Sequence, residues 1–127
     1  MPKKIISTPN APQAIGTYSQ AVKVDNTVYI SGQIPLVPET MEVVDGDFKE
    51  HARQVFRNLS AIAEAAGGNI NDLVKINIFL TDLNNFLSVN EVMEEFFTQP
   101  YPARAALQIS ALPKGVAVEA DAVMALT

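Results

Sequence analysis

Apolar and polar residues alternate in two short runs near the start of the chain, at residues 18–24 and 27–31. The dipeptide Asp25-Asn26 lies between them, and two turn-forming residues between β-type runs predict a hairpin. A glycine and two prolines then end the second strand.

Helical spacing follows the hairpin. Apolar residues recur every three or four positions and form one stripe, made of Phe48, Ala52, Val55, Leu59, Ile62 and Ala66. Asp47 precedes the stripe as a plausible N-cap, and Gly67-Gly68 follows it as a C-cap. The spacing therefore predicts a helix that buries one face.

The pattern changes to alternation at residues 73–80, which predicts a strand. Its core face comprises Val74, Ile76, Ile78 and Leu80, and its other face Lys75, Asn77 and Phe79. A second helix is expected over residues 84–98, because apolar residues again recur at helical spacing. Those residues are Phe86, Val89, Met93, Phe96 and Phe97. Pro100 and Pro102 end it.

Two further strands are predicted at residues 103–110 and 115–126. The whole of 1–127 then forms one α+β domain, with about six strands in a mixed sheet and two helices on one face. The opposite face of the sheet still carries apolar residues, namely Phe79, Ala105, Val123 and Ala125. We therefore expect copies of the chain to cover this face.

Composition narrows the class of protein. Hydrophobic residues make up 48% of the 127 residues and charged residues 18%, which excludes a disordered tail. The net charge of −5 makes a general nucleic-acid binder unexpected. The chain has no cysteine and one histidine, His51, so thiolate and multi-histidine metal sites are not expected. The uncharged residues 5–22 are too polar for a membrane span, and we expect a cytoplasmic protein.

Arg104 is the most informative candidate for chemistry. It lies on a predicted strand among small and apolar residues, and its planar guanidinium suits a carboxylate partner. One interpretation is a ligand clamp. The other, more frequent in proteins, is an internal ion pair with Glu119 or Asp121 on the next strand along the chain.

Glu119 and Asp121 alternate with small apolar residues, so their carboxylates share one strand face. Paired acids occur in glycoside hydrolases and metal sites, but a solvated strand face is the simpler interpretation. Ser31-Gly32 could present backbone N–H groups to an anion or form a plain turn. Tyr18 is compatible with a core aromatic, and His51 with a surface position beside the first helical stripe.

Several segments, taken together and in order, carry a family resemblance over nearly the whole chain. They include Asn10-Ala-Pro-Gln-Ala-Ile-Gly-Thr-Tyr-Ser-Gln-Ala21, Ser31-Gly-Gln-Ile-Pro35, Phe79-Leu-Thr-Asp-Leu83, Tyr101-Pro-Ala-Arg104, Leu112-Pro-Lys114 and Val118-Glu119. With these segments the chain resembles the RidA (YjgF) family of reactive intermediate deaminases. Two departures from the family pattern, Ala105 and Ala106 in place of a common Ser-Cys, leave the site without a thiol.

The resemblance implies a chorismate-mutase-like subunit in a homotrimer with clefts between subunits. It also implies hydrolysis of 2-aminoacrylate, 2-aminocrotonate and the related 2-iminopropanoate and 2-iminobutanoate to 2-oxo acids and ammonia, without cofactor or metal. Arg104 would bind the substrate carboxylate and Glu119 would position water. Tyr18, Ser31, Gly32 and Asn90 would line the substrate pocket.

Two other functions are compatible with the resemblance. One would depend on the same residues, and the other has been attached to the same family. A non-catalytic sensor for small 2-oxo or amino acids would also need Arg104, although carboxylate capture alone does not require Glu119. A ribonuclease or translation inhibitor is sometimes attached to this family, but the net charge of −5 and the lack of a basic aromatic patch oppose it.

Overall fold

The computed structural model describes residues 2–127 and contains a six-stranded mixed sheet with two α-helices. Along the chain the elements are β1 (Lys4–Ile6), β2 (Ala21–Val24), β3 (Thr27–Gln33), β4 (Leu36–Val37), β5 (Glu42–Val43), α1 (Phe48–Ala65), β6 (Leu73–Leu80), α2 (Phe86–Phe96), β7 (Ala103–Gln108) and β8 (Val118–Ala125). The main sheet has the order β1-β2-β3-β8-β6-β7, in which only β6 and β7 are parallel. The predicted α+β class is confirmed.

Helix α1 begins and ends where the sequence predicts. Asp47 Oδ1 accepts a 3.0 Å hydrogen bond from the N–H of Glu50 and so caps the first turn. At the other end Gly67 adopts a φ of +101°, and the N–H of Gly68 donates to the carbonyl of Ala63. This is a Schellman motif, in which a left-handed glycine lets the chain turn away from the helix.

The apolar stripe of α1 packs on the sheet, mainly against β3 and β8. Val55, Leu59 and Ile62 are fully buried there, and Phe56 makes aromatic contacts with Phe96 and Phe97. No helix within residues 2–127 combines the length and the apolar character needed to cross a bilayer.

The hairpin of β2 and β3 is confirmed, and Asp25 takes a φ of 53° in its two-residue turn. The predicted faces of β6 need one correction. A register shift between Leu73 and Lys75 turns Val74 outward, and it is 47% exposed while Leu73 is buried. A bulge inserts one residue and so reverses the alternation on one side of it.

Other boundaries also differ from the prediction. Strand β8 begins at Val118 because Lys114 and Gly115 have φ values of 58° and 68°, which a strand does not contain. Helix α2 is preceded by a 3₁₀ turn at Leu83–Asn85, and it ends at Phe96. The short strands β1, β4 and β5 were not predicted at all.

Alternation along β8 separates the two faces of the sheet. Val118, Ala120 and Ala122 are buried under the helices, whereas Glu119 and Asp121 lie on the face without helices. We call this second side the open face. Cross-strand register gives it three half-exposed apolar side chains, Ile5, Tyr29 and Leu107.

Candidate active site

Glu119 projects from the open face into a cavity of about 650 Å³. The cavity lining includes Tyr18, Ser31, Gly32 and Lys114. The lining also includes the apolar residues Ile15, Leu36 and Met41. The structure therefore brings four of the predicted site residues together, Tyr18, Ser31, Gly32 and Glu119. We call this the Glu119 cavity.

A bulge in β3 shapes the floor of the Glu119 cavity. The ladder to β8 pairs Ile30 with Ala122 and then Gln33 with Ala120, so Ser31 and Gly32 together face one residue. The N–H of Ser31 donates to the carbonyl of Gln20, and its hydroxyl donates to the carbonyl of Ser19. The Ser31 side chain is thus used within the fold, while Gly32 borders the cavity.

Gly32 is next to the Glu119 carboxyl group. A Cβ atom at position 32 would overlap Glu119 Oε2 and would lie 3.0 Å from its carboxyl carbon. The backbone of Gly32 is not in the left-handed region, so a side chain at this position would act by taking the space of the Glu119 carboxyl group and not by straining the backbone. The absence of a side chain lets the carboxyl group lie against the bulge.

Tyr18 is 53% exposed and belongs to the cavity wall, so the interpretation as a core aromatic is wrong. The segment before it is fixed by Gln20, which is buried. Gln20 Oε1 accepts from the N–H of Thr8, and Gln20 Nε2 donates to the carbonyls of Ala11 and Pro12. A buried amide with all these partners holds the loop that carries Tyr18.

Arg104 lies on the other side of the sheet. In the parallel pairing of β6 and β7 it is opposite Ile76, which is buried under the helices. Its Nη1 donates a 2.8 Å hydrogen bond to Asn90 Oδ1 and lies 3.5 Å from the sulfur of Met93. The guanidinium carbon lies 4.7 Å above the Phe86 ring, a cation–π contact.

This arrangement leaves most of the guanidinium donors of Arg104 available to a ligand. A cavity of about 280 Å³ beside it is also lined by Asn90, Glu94 and Tyr101. Arg104 forms no salt bridge among residues 2–127. The internal ion pair with Glu119 or Asp121 is therefore wrong, since both acids lie on the opposite face and β6 separates β7 from β8. We call this the Arg104 cavity.

The six predicted site residues thus form two groups in one chain. Arg104 and Asn90 lie in the Arg104 cavity on the helix side, and the other four lie in the Glu119 cavity on the open face. Sequence reasoning missed Phe86 beneath Arg104, having assigned it to the core, and missed the polar contact of Asp121. Asn77 Nδ2 donates a 2.8 Å hydrogen bond to Asp121 Oδ1, which the shared face of β6 and β8 could have indicated.

In the Glu119 cavity, the carboxyl group of Glu119 has a pKa above that of an ordinary glutamate. Burial raises the pKa of Glu119, and the negative charge of Asp121 on the same strand face raises this pKa further.

His51 lies on α1 outside both cavities, in agreement with its predicted surface position. No group of three or more His, Asp or Glu side chains within residues 2–127 is arranged to hold a metal ion.

The sequence and the fold match a known class of protein. A family model described as Endoribonuclease L-PSP matches residues 8–126. The chain belongs to this family, which is the RidA (YjgF) family.

Individual relatives cover almost the whole chain. A 2-iminobutanoate/2-iminopropanoate deaminase of Dermatophagoides farinae is 49% identical over 98% of each chain, and that of Homo sapiens is 47% identical over 95% of this chain and 88% of its own. The crystal structure of RidA from the Antarctic bacterium Psychrobacter sp. PAMC 21119 superposes with a TM-score of 0.93, at 57% identity, covering 97% of this chain and 99% of the other. That of E. coli TdcF with bound serine has a TM-score of 0.91 at 41% identity, covering 98% and 99%.

Replacing Gly32 with alanine should lower catalytic activity at least about tenfold if Glu119 takes part in the reaction, because the new methyl group displaces its carboxyl group. The thermal midpoint should change little, since the backbone conformation suits alanine. The control is the double variant with Glu119→Gln. In that background Gly32→Ala should cost almost nothing further, whereas independent effects of the two changes would contradict the contact.

Proposed function

We propose that the protein is a homotrimeric deaminase that hydrolyses enamine and imine acids to 2-oxo acids and ammonia at sites between subunits. The substrates are 2-iminopropanoate, 2-iminobutanoate and their enamine forms, 2-aminoacrylate and 2-aminocrotonate. The observation that carries the proposal is the separation of Arg104 from Glu119 on opposite faces of one sheet. A cleft that needs both residues is completed by a second copy of the chain.

The open face supports self-association. Ile5, Tyr29 and Leu107 are each half exposed on it. Burial of such side chains contributes about 25 cal/mol per Å² of apolar surface, so three copies that pack these faces together gain stability. The Arg104 cavity on the edge strand β7 would then face the Glu119 cavity of a neighbouring subunit.

The side chains of Arg104, Asn90 and Glu119 are suited to the hydrolysis of an imine acid. The planar fork of Arg104 binds the substrate carboxylate by two hydrogen bonds, and Asn90 fixes the guanidinium from behind. The iminium carbon is already electrophilic, so a water molecule needs placement more than a strong base. Glu119 positions this water and accepts its proton as the oxygen bonds to carbon. The proton then passes to nitrogen, the C–N bond breaks, and ammonia leaves as the carbonyl forms.

A second candidate is a sensor that binds a small 2-oxo or amino acid without turnover. The TdcF structure with bound serine favours this candidate, because a related protein holds an amino acid. A nuclease activity, as the description of the family model suggests, has less support, because a chain of net charge −5 repels the phosphate backbone.

Coupling the protein to a threonine dehydratase tests the deaminase directly. The dehydratase releases 2-aminocrotonate, and we expect the protein to accelerate the appearance of 2-oxobutanoate and ammonia above the spontaneous rate. Equal rates with and without the protein, together with calorimetric binding of 2-oxobutanoate, would leave the sensor as the better proposal.

The trimer gives a separate prediction. Light scattering or sedimentation at micromolar concentration should report about three times the chain mass of 13.7 kDa. A monomer under these conditions would leave Arg104 and Glu119 on opposite faces with no shared site, and would contradict the proposed assembly.

A further inference from the structure

Glu119 and Asp121 are carboxyl groups on the same face of β8, two residues apart, and their surroundings differ. Asp121 accepts a 2.8 Å hydrogen bond from the Asn77 amide on the neighbouring strand. The hydrogen bonds and ion pairs of residues 2–127 include none to the Glu119 carboxyl group. The two acids therefore differ in their hydrogen bonding. Asp121 has an amide donor, whereas Glu119 has none in this part of the chain and lies against the bulge at Gly32.

Other titratable groups on the open face and in the Glu119 cavity include three from different segments of the chain. Lys75 lies on the open face of β6, and Lys114 and Tyr18 line the Glu119 cavity. None of the three forms a hydrogen bond or ion pair with Glu119 in residues 2–127. Burial and the charge of Asp121 therefore dominate, and both raise the pKa of Glu119.

We propose that Glu119, the acid of this pair whose carboxyl group has no hydrogen-bond donor among the described residues and borders the cavity, delivers a proton to C3 of the enamine form of the substrate. The protein then converts the enamine into the imine on its own surface before hydrolysis. This inference rests on the proposed function, because that function places the substrate beside Glu119. Two carboxyl groups with different surroundings commonly divide acid and base roles in this way.

The step balances in protons and electrons. The π electrons of the C2–C3 double bond form a new C3–H bond with the Glu119 proton, and the nitrogen lone pair forms the C2–N double bond. Glu119 becomes a carboxylate. It then accepts a proton from the water that attacks C2 and passes it to nitrogen. As the C–N bond breaks and the carbonyl forms, Glu119 takes up the hydroxyl proton, which regenerates the acid for the next molecule. Glu119 is a catalytic residue in both steps, and Asp121 is a positioning residue that acts through it.

Deuterium labelling tests the proton transfer. A threonine dehydratase in D2O releases 2-aminocrotonate, and an NADH-dependent 2-hydroxy acid dehydrogenase traps the product at once, before C3 can exchange. Proton NMR of the trapped 2-hydroxybutanoate then gives the ratio of the two configurations at the deuterated C3. Spontaneous tautomerisation in water favours neither configuration, so the dehydratase and trap alone provide the baseline.

We expect one configuration to increase in excess as wild-type protein is added, and Glu119→Gln to return the ratio to the baseline. A ratio that stays at the baseline while ammonia release accelerates would overturn the inference and leave the deaminase intact. A changed ratio without faster ammonia release would support the proton transfer and refute the deaminase. A baseline ratio with no acceleration would refute both.

Asp121→Asn tests the positioning role. Asparagine has nearly the same shape and can still accept the hydrogen bond from Asn77, so the change removes mainly the charge. Without that charge the pKa of Glu119 falls. The pH above which the configurational excess disappears should therefore move down. Asp45→Asn, at an exposed position, is the matched control and should not move it. An unshifted limit in Asp121→Asn would exclude the positioning role.

Discussion

Replacing Arg104 with lysine should lower deaminase activity about ten- to hundredfold, because an ammonium group cannot form both hydrogen bonds of the guanidinium fork. Most of the loss of activity should appear in kcat/KM, because the hydrogen bonds from Arg104 to the substrate carboxylate both bind and orient the substrate. The thermal midpoint should stay close to that of the wild type. The partners of Arg104 are an amide, a thioether and an aromatic ring, so no buried carboxylate loses its counterion.

The matched control is Arg57→Lys on α1. Arg57 pairs with Glu50 at 2.9 Å on the outer surface, and lysine can keep much of that exposed ion pair. Its activity should equal that of the wild type. A stable and fully active Arg104→Lys protein would contradict the clamp.

Replacing Glu119 with glutamine should reduce kcat about a hundredfold or more, because the amide neither accepts the proton of water nor donates one as an acid. Binding of 2-oxobutanoate should be nearly unchanged, since Arg104 supplies the contact to its carboxylate. Kinetics and isothermal titration on the same preparation separate the two effects. Glu64→Gln, an exposed acid on α1 that lines neither cavity, is the control.

The pH dependence provides a further check on the Glu119 variant. The pKa of Glu119 is raised, so its carboxylate forms only at a higher pH than that of an ordinary glutamate. With an imine as substrate, only the water step requires Glu119, and kcat should rise with pH through this shifted pKa. The rise should be absent in Glu119→Gln, and an identical rise in that variant would assign the titration to another group.

The parts of the site that depend on local pattern were predicted correctly. Strand alternation alone places Glu119 and Asp121 on one face, because the period of two is a property of a single strand. The cap at Asp47 and the stripe of α1 are equally local. These features need no knowledge of which strands become neighbours.

The parts that depend on strand order were not predicted. Consecutive strands β7 and β8 suggested that Arg104 could reach Glu119, but β6 lies between them in the sheet. The outward turn of Val74 and the cavity at the Ser31-Gly32 bulge come from register shifts between distant segments. Such shifts are set by tertiary packing, which a single sequence does not display.

Complementation between two inactive variants tests most directly whether the site is shared between subunits. Arg104→Ala and Glu119→Gln chains carry different tags, are co-expressed in equal amounts, and are purified as mixed trimers. A cleft formed by the Glu119→Gln chain's arginine and the Arg104→Ala chain's glutamate is intact, and every mixed trimer contains one such cleft among its three, so about a third of all clefts are intact. We predict that the mixed preparation recovers about this fraction of wild-type kcat per chain, far above either variant alone. Activity no greater than the mean of the two separate variants would show that Arg104 and Glu119 do not act across a subunit boundary.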